Sequence, residues 1–479
     1  MRSRGMAGPP DLVGPAHREG LWYPCLTTMA IRRGFAGVTA LVAVWAWVQI
    51  SGCSASGESS EFGGAGTGNT GGSGLPDAAA DSLMFGCNTC IGSILKECDD
   101  KGNLIGDKDC TPEVCVPGKG CMPCAPGTTT CVGNEVHACL DDGSAGDLIE
   151  TCDTSAGEIC GAGKCGTECD ILAGSNSYVG CEFWAVDLPN ERGPMGTKNT
   201  WAVFSPWGVV LVNAGTATAY VTIDINEAPF GQPVSTKTVE TRTMAPGAIE
   251  KIVLPTREVT GMTMNTPADP GPPMTLLTSA AYRITSSSPL IVTQFNVFEN
   301  SFSNDASLLL PKAALGTTYR VLGYPTANPV VIEGMPTMPG VPDHASVTVV
   351  GVEPGTQVQV KLSADSMGNP DQNLPAAKAG ETVTATLGPF DTLNIASRSD
   401  CKMAEINKCL GAFTGTIVQA SRPVVVFPSG ERAILGPLND NSGTDGCCTD
   451  HLEEQMFPVT SLGKSFLITN SPPRGSEPA

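Results

Sequence analysis

Between Cys87 and Cys169 the chain places 13 cysteines in 83 residues, with no Phe, Trp or Tyr and only 14 Val, Ile, Leu or Met. So little apolar area cannot hold a core, and cross-links must supply the stability, each worth about 2 to 4 kcal/mol when unstrained. The order also repeats. Cys90, Cys98, Cys110, Cys115, Cys121 and Cys124 recur a little over forty residues later as Cys131, Cys139, Cys152, Cys160, Cys165 and Cys169. Two small knots in tandem are predicted, with Asp99-Asp-Lys-Gly102 and Asp141-Asp-Gly143 as one hairpin turn used twice. Cys181 completes an even set of fourteen and is expected to pair near Cys169. Cys87-x2-Cys90 and Cys121-x2-Cys124 have zinc-knuckle spacing, but thiols this dense in an exported chain are read as disulfides.

Export is read from the N-terminus. From Met29 the order is Met-Ala-Ile-Arg-Arg, an apolar run from Gly34 to Ile50, then Ser51-Gly52-Cys53. That is a basic segment, a hydrophobic segment and a small-residue cleavage site. The end resembles a bacterial lipobox, which makes Cys53 the lipidation site and predicts a membrane contact through acyl chains. A run of about 17 residues sits at the lower limit of a membrane span, and a Gly/Ser-rich tether follows at once. Residues 1–28, with Pro9, Pro10 and Pro15, read as a mis-called start, 29–52 as the signal peptide and 53–82 as the tether.

The 479 residues carry 56 Gly and 38 Pro but only 5% aromatic residues, which favours turns and short strands over long helices. From Tyr178 onward, alternations such as Val221, Ile223, Ile225 and Val358, Val360, Leu362 mark half-buried strands. The fold class expected is mostly β: a disulfide-rich stalk (83–176), then a repetitive antiparallel module in two sandwich-like or blade-like copies (177–325 and 326–470) and a Pro-rich tail (471–479). Four correspondences support the two copies. Leu211-Val-Asn matches Val349-Val-Gly, and Met244-Ala-Pro-Gly matches Leu387-Gly-Pro. Tyr282 to Val292 matches Gly415 to Val426, and Leu310-Pro311 lies 147 residues before Phe457-Pro458. Soon after the second copy the chain stops, which reads as truncation.

Ser177-Tyr-Val-Gly-Cys-Glu-Phe-Trp184, Ser303-Asn-Asp-Ala-Ser-Leu-Leu-Leu-Pro311, Gly415-Thr-Ile-Val-Gln-Ala-Ser-Arg-Pro-Val-Val-Val-Phe427 and Asp450-His-Leu-Glu-Glu-Gln-Met-Phe-Pro458 together resemble the IgGFc-binding protein N-terminal domain family. The resemblance covers Tyr178 to Asn470. It implies an extracellular, repetitive β module, found in an animal mucus protein and in bacterial surface lipoproteins with Cys-rich leaders.

The formal charge of −20 falls to about −23 when residues 1–52 (five Arg against Asp11 and Glu19) are removed, which argues against nucleic acid as a partner. His137, His344 and His451 are the imidazoles of the mature chain, and no G-x-S-x-G, H-E-x-x-H or P-loop is present. Catalysis is therefore not expected. Asp450, His451, Glu453 and Glu454, beside Cys447 and Cys448, form the best candidate constellation for ligating a metal, yet their repeat position in the first copy, Ser303-Asn-Asp305-Ala-Ser307, carries no such set, so a structural turn is favoured. No cofactor is expected beyond a weak calcium option at Asp440, Ser442 and Asp445. Cys401, Cys409, Cys447 and Cys448 are read as loop staples.

The function expected is a non-catalytic lipoprotein of the cell envelope, exposed outside the cytoplasm and binding an extracellular protein or glycan. A purely structural envelope protein and a metal-dependent hydrolase centred on His451 are the alternatives.

Overall fold

A computed structural model describes residues 88–99, 101–173, 177–192, 201–266, 274–298, 303–326, 343–398, 412–433 and 450–463. The signal peptide, Cys53, the tether, Cys87, Cys401, Cys409, Cys447, Cys448, the calcium option and the tail lie outside them. Among the described residues no helix is long and apolar enough to cross a membrane.

The stalk folds twice in one pattern. A meander of β1 (Thr89–Ile91), β2 (Ile94–Cys98) and β3 (Leu104–Asp109) is followed by a hairpin of β4 (Val114–Val116) and β5 (Gly120–Met122). Then β6 (Thr129–Val132), β7 (Glu135–Cys139) and β8 (Ala145–Thr151) repeat the meander, and β9 (Ile159–Gly161) and β10 (Lys164–Gly166) repeat the hairpin. The cysteines pair in the same rhythm: Cys90–Cys115 and Cys110–Cys121 in the first copy, Cys131–Cys160 and Cys152–Cys165 in the second. Between copies, Cys124 reaches forward to Cys139. The last cysteine of the second copy does the same, Cys169 pairing with Cys181 at a Cα–Cα distance of 5.7 Å. Each copy is thereby stapled to whatever follows it, so the stalk is a covalent chain of small sheets. Leu95 and Val136, both buried, are nearly all the core these sheets have.

The second staple lands on the body. Cys169 lies in the short helix α1 (Glu168–Leu172), begun by a Thr167–Asp170 capping box, and Cys181 lies in the first body strand. Glu168 Oε1 also accepts hydrogen bonds from Thr216 N (3.1 Å) and Thr216 Oγ1 (2.5 Å).

Among the described residues the body has fifteen strands: β11 (Gly180–Ala185), β12 (Gly208–Asn213), β13 (Ala219–Asn226), β14 (Thr236–Met244), β15 (Ile249–Val253), β16 (Leu276–Thr278), β17 (Tyr282–Asn296), β18 (Asp305–Leu308), β19 (Gly316–Arg320), β20 (Ala345–Gly351), β21 (Thr356–Lys361), β22 (Thr382–Leu387), β23 (Thr392–Ala396), β24 (Ile417–Ala433) and β25 (Asp450–Glu453). They form two curled antiparallel sheets, or half-barrels, of one topology. The first runs β14-β13-β17-β12-β15 with β11 and β18 also on β17. The second runs β22-β21-β24-β20-β23 with β19 and β25 also on β24, and β16 added at its edge.

The long strands β17 and β24 are the spines. Each pairs with one set of neighbours along its first half and another along its second: β13 and β11, then β12 and β18, for β17. The exchange falls near Pro289 in β17 and Pro423 in β24, where a missing N–H would otherwise cost a ladder bond.

Alternation sorts the side chains into two cores. Val209 and Leu211 (β12), Val221 and Ile223 (β13), and Ile284 and Val292 (β17) fill the concave side of the first sheet. Val350, Val425, Phe427 and Phe390 of the second sheet join that same cluster. Their neighbours one residue away, Val349, Val424 and Val426, belong to the separate core of the second sheet. The second sheet is therefore buried on both faces, its outer face serving as the floor of the first half-barrel. Two connections cross: β16, from the loop after β15, pairs with β23, and β19, placed ahead of the 325/326 boundary by the sequence, pairs with β24.

Candidate functional site

The motif Asp450 to Gln455 lies on β25 and the residues just after it, beside β18 of the first sheet. A strand turns alternate residues to opposite sides, so His451 and Glu453 point inward and are buried, while Asp450 is exposed. Asp450 Oδ1 accepts from Asn304 N at 2.8 Å, and Asp305 Oδ2 accepts from Glu453 N at 2.8 Å. Ser307 Oγ accepts from Gln455 N, and Gln455 Oε1 accepts from Leu310 N, both at 2.8 Å. Glu454 Oε1 accepts from Ser307 Oγ at 3.4 Å. The motif is a clasp between the two sheets, built from side chains that satisfy the backbone of the opposite strand.

Inside the clasp, Gln294 Nε2 donates to Glu453 Oε1 at 3.1 Å, and His451 Nε2 lies 3.4 Å from Glu453 Oε2. Burial pushes the Glu453 carboxyl well above the usual range and the His451 imidazole down to about 4. Burial thus opposes charge on both groups, which face each other inside the clasp rather than solvent. No cluster of three or more His, Cys, Asp or Glu able to hold a metal occurs among the described residues. Ser303–Ser307 and Asp450–Glu454 hold equivalent places by register, Ala306 facing Phe295 of β17 as Glu453 faces Ser429 of β24, and the two segments lie side by side.

The other histidines are held structurally. His344 Nδ1 lies 2.8 Å from Ser397 O, and burial lowers its pKa. His137 bridges Gly146 O (2.9 Å) and Glu135 Oε2 (3.2 Å) within the stalk.

A buried ionic seam escaped sequence reasoning. Arg192 Nε donates to Glu431 Oε1 at 2.7 Å, and Glu431 Oε2 accepts from His344 N at 2.7 Å. Arg432 Nε lies 3.0 Å from both oxygens of Asp343. Arg192 comes from the first unit and the rest from the second, so the seam crosses the same junction as the clasp. The available signal was Glu431-Arg432 near the end of β24, two adjacent charges shortly after the apolar run Pro423–Pro428.

Beside the clasp, a groove of about 310 Å³ is lined by Leu322, Tyr324, Pro428 and Leu452 and by Asp305, Glu453 and Glu454. Leu322 is 70% exposed. The groove offers apolar contact next to hydrogen-bond acceptors, the makings of a binding surface rather than a reaction centre.

A family model described as IgGFc binding protein matches residues 305–479. These residues are similar to the IgGFc binding protein family. The match begins at Asp305, the clasp residue opening β18, and takes in every strand from β18 to β25, leaving out the other strands of the first half-barrel and β16 of the second. The clasp motif thus lies inside the matched segment, together with the residues lining the groove. No curated protein and no solved structure matches the chain.

Proposed function

We propose that this chain is a non-catalytic surface binding protein, lipid-anchored at Cys53, held off the membrane by the 53–82 tether and the 83–176 stalk, and contacting an extracellular protein or glycan through the two β units (177–325 and 326–470). The observation that carries the reading is the IgGFc binding protein match on a half-barrel whose conspicuous polar motif is used up in holding the two sheets together. With those groups engaged, surface contact is what remains for the body to offer. The disulfide stalk supports an exported, oxidising location.

The test is solid-phase binding of the mature protein to glycans, mucins, immunoglobulin Fc and other extracellular proteins. A saturable partner is expected, and inertness across the panel contradicts the reading. Palmitate labelling of wild type against Cys53→Ser checks the anchor separately: label lost in the variant supports it, and label retained removes it.

A further inference from the structure

The two forward staples of the stalk hold equivalent places in the repeat but lie in unlike surroundings. Cys124–Cys139, which joins the first copy to the second, is buried at both cysteines, and Cys124 Sγ lies 3.2 Å from Gly143 O of the Asp141-Asp-Gly143 turn. Cys169–Cys181, which joins the second copy to the body, is only half-buried. Both of its cysteines line a surface cleft of about 540 Å³, together with Leu172 of α1, Ser286 of β17, Ala313 of the short turn Lys312–Ala314 and Pro423 of β24. The stalk and both sheets meet at this cleft.

That difference decides which staple a thiol can reach. A thiolate attacks a disulfide along the line of the S–S bond, so open space beside a sulfur is a condition of the reaction. The cleft offers it beside Cys169 and Cys181, whereas packing encloses Cys124 and Cys139.

The same staple governs how firmly the stalk is held. The helix α1 buries none of its residues. Glu168 supports the disulfide by accepting from Thr216 N, Thr216 Oγ1 and Ser288 Oγ, and at its exposed Thr216 end water can compete for those bonds. Cys181 itself sits where the register of β11 on β17 shifts between Gly180 and Glu182, so the disulfide clamps the stalk directly to a body strand.

We propose that Cys169–Cys181 is a thiol-exchange latch between stalk and body, opened by an extracellular dithiol while the bridges inside the stalk stay closed. The inference goes beyond the binding function and does not rest on it. A thiolate of the dithiol attacks one sulfur, forming a mixed disulfide and releasing the other cysteine as a thiolate that takes up a proton. The donor's second thiol, losing its proton, then displaces the first cysteine. Two electrons and two protons pass to the chain, and the donor leaves as its own disulfide. Afterwards the stalk is joined to the body through the backbone alone at this point.

The test uses the oxidised full chain with limiting dithiothreitol, quenched at intervals with iodoacetamide and mapped by peptide mass spectrometry. Cys169 and Cys181 should become alkylated together, roughly tenfold or more faster than Cys124 and Cys139. Opening of any of the other five described bridges first, or a rate at Cys169–Cys181 no higher than at Cys124–Cys139, overturns the latch. Ala313→Trp adds bulk at an exposed position of the cleft and should slow opening of Cys169–Cys181 severalfold without slowing Cys124–Cys139. An unchanged rate would show that the cleft is not the route and count against the proposal. In small-angle X-ray scattering, chain alkylated at Cys169 and Cys181 should have a larger radius of gyration than the oxidised form, matching the variant that carries Cys169→Ser with Cys181→Ser. An unchanged radius in both would show that the bridge latches nothing and overturn the proposal.

Discussion

Asp305 and Asp450 exchange roles across the junction of the two half-barrels. Each opens a strand, β18 or β25, and each accepts the N–H of the residue that follows it; Asp305 also accepts from Glu453 N of β25, and Asp450 from Asn304 N just ahead of β18. The two copies are thus joined by reciprocal carboxylate-to-backbone bonds made from non-equivalent positions of the repeat.

Asp305→Ala should therefore destabilise the body by about 1 to 3 kcal/mol, because it leaves Glu453 N without its acceptor in a buried setting. Asp450→Ala should cost less, since that carboxylate is exposed and water can replace it. Urea denaturation of the two variants measures the difference. Equal losses would show that burial does not set the cost.

Gly180 and Gly316 begin equivalent strands, and a Cβ placed on either would lie 2.4 Å from the Cβ of Pro311 or Pro458 respectively. Gly180→Ala and Gly316→Ala should each lower the melting temperature, by an amount corresponding to roughly 1 to 3 kcal/mol of overpacking. An unchanged melting temperature in both would mean that these prolines move aside freely.

Two buried groups give opposite pH signatures. His451 has a folded pKa of about 4 against an ordinary 6.5, so the unfolded chain takes up the proton first and stability is lost as pH falls from 6.5 towards 4. Glu258, which burial raises to about 7 from 4.5, holds its proton longer when folded, so stability is lost as pH rises from 4.5 to 7. Each effect amounts to on the order of 3 kcal/mol at most. Relative to wild type, His451→Gln should flatten the acid-side loss and Glu258→Gln the loss towards neutrality, both read from melting temperature against pH.

Phe427 sits on the outer face of the second sheet yet is fully buried in the core of the first. Phe427→Ala should cost about 3 to 5 kcal/mol and uncouple the two half-barrels. Two transitions in calorimetry, where wild type shows one, would be the sign.

Much of this architecture is legible in the sequence because it rests on local periodicity. The cysteine order is one signal, since a chain with almost no stalk core must repeat its cross-links to repeat its fold. The alternation of Val221, Ile223 and Ile225 is another, because a half-buried strand requires it. The resemblance around Asp450–Pro458 points to the family segment. What stays hidden are pairings between distant segments. Nothing in Leu276-Leu277-Thr278 announces that it completes a sheet more than a hundred residues away, and no spacing rule joins Arg192 to Glu431. The crossing of Gly316–Arg320 into the second sheet is hidden for the same reason, since similarity between repeats fixes their period but not where one unit hands over to the next.

The central claim is that a covalently braced stalk carries the β body outside the reducing interior. Alkylation of the native protein without reductant, followed by peptide mapping, tests it most directly. The account predicts linked peptides for Cys90–Cys115, Cys110–Cys121, Cys124–Cys139, Cys131–Cys160, Cys152–Cys165 and Cys169–Cys181. Alkylated, unpaired thiols at these positions in protein isolated from its native source would contradict it.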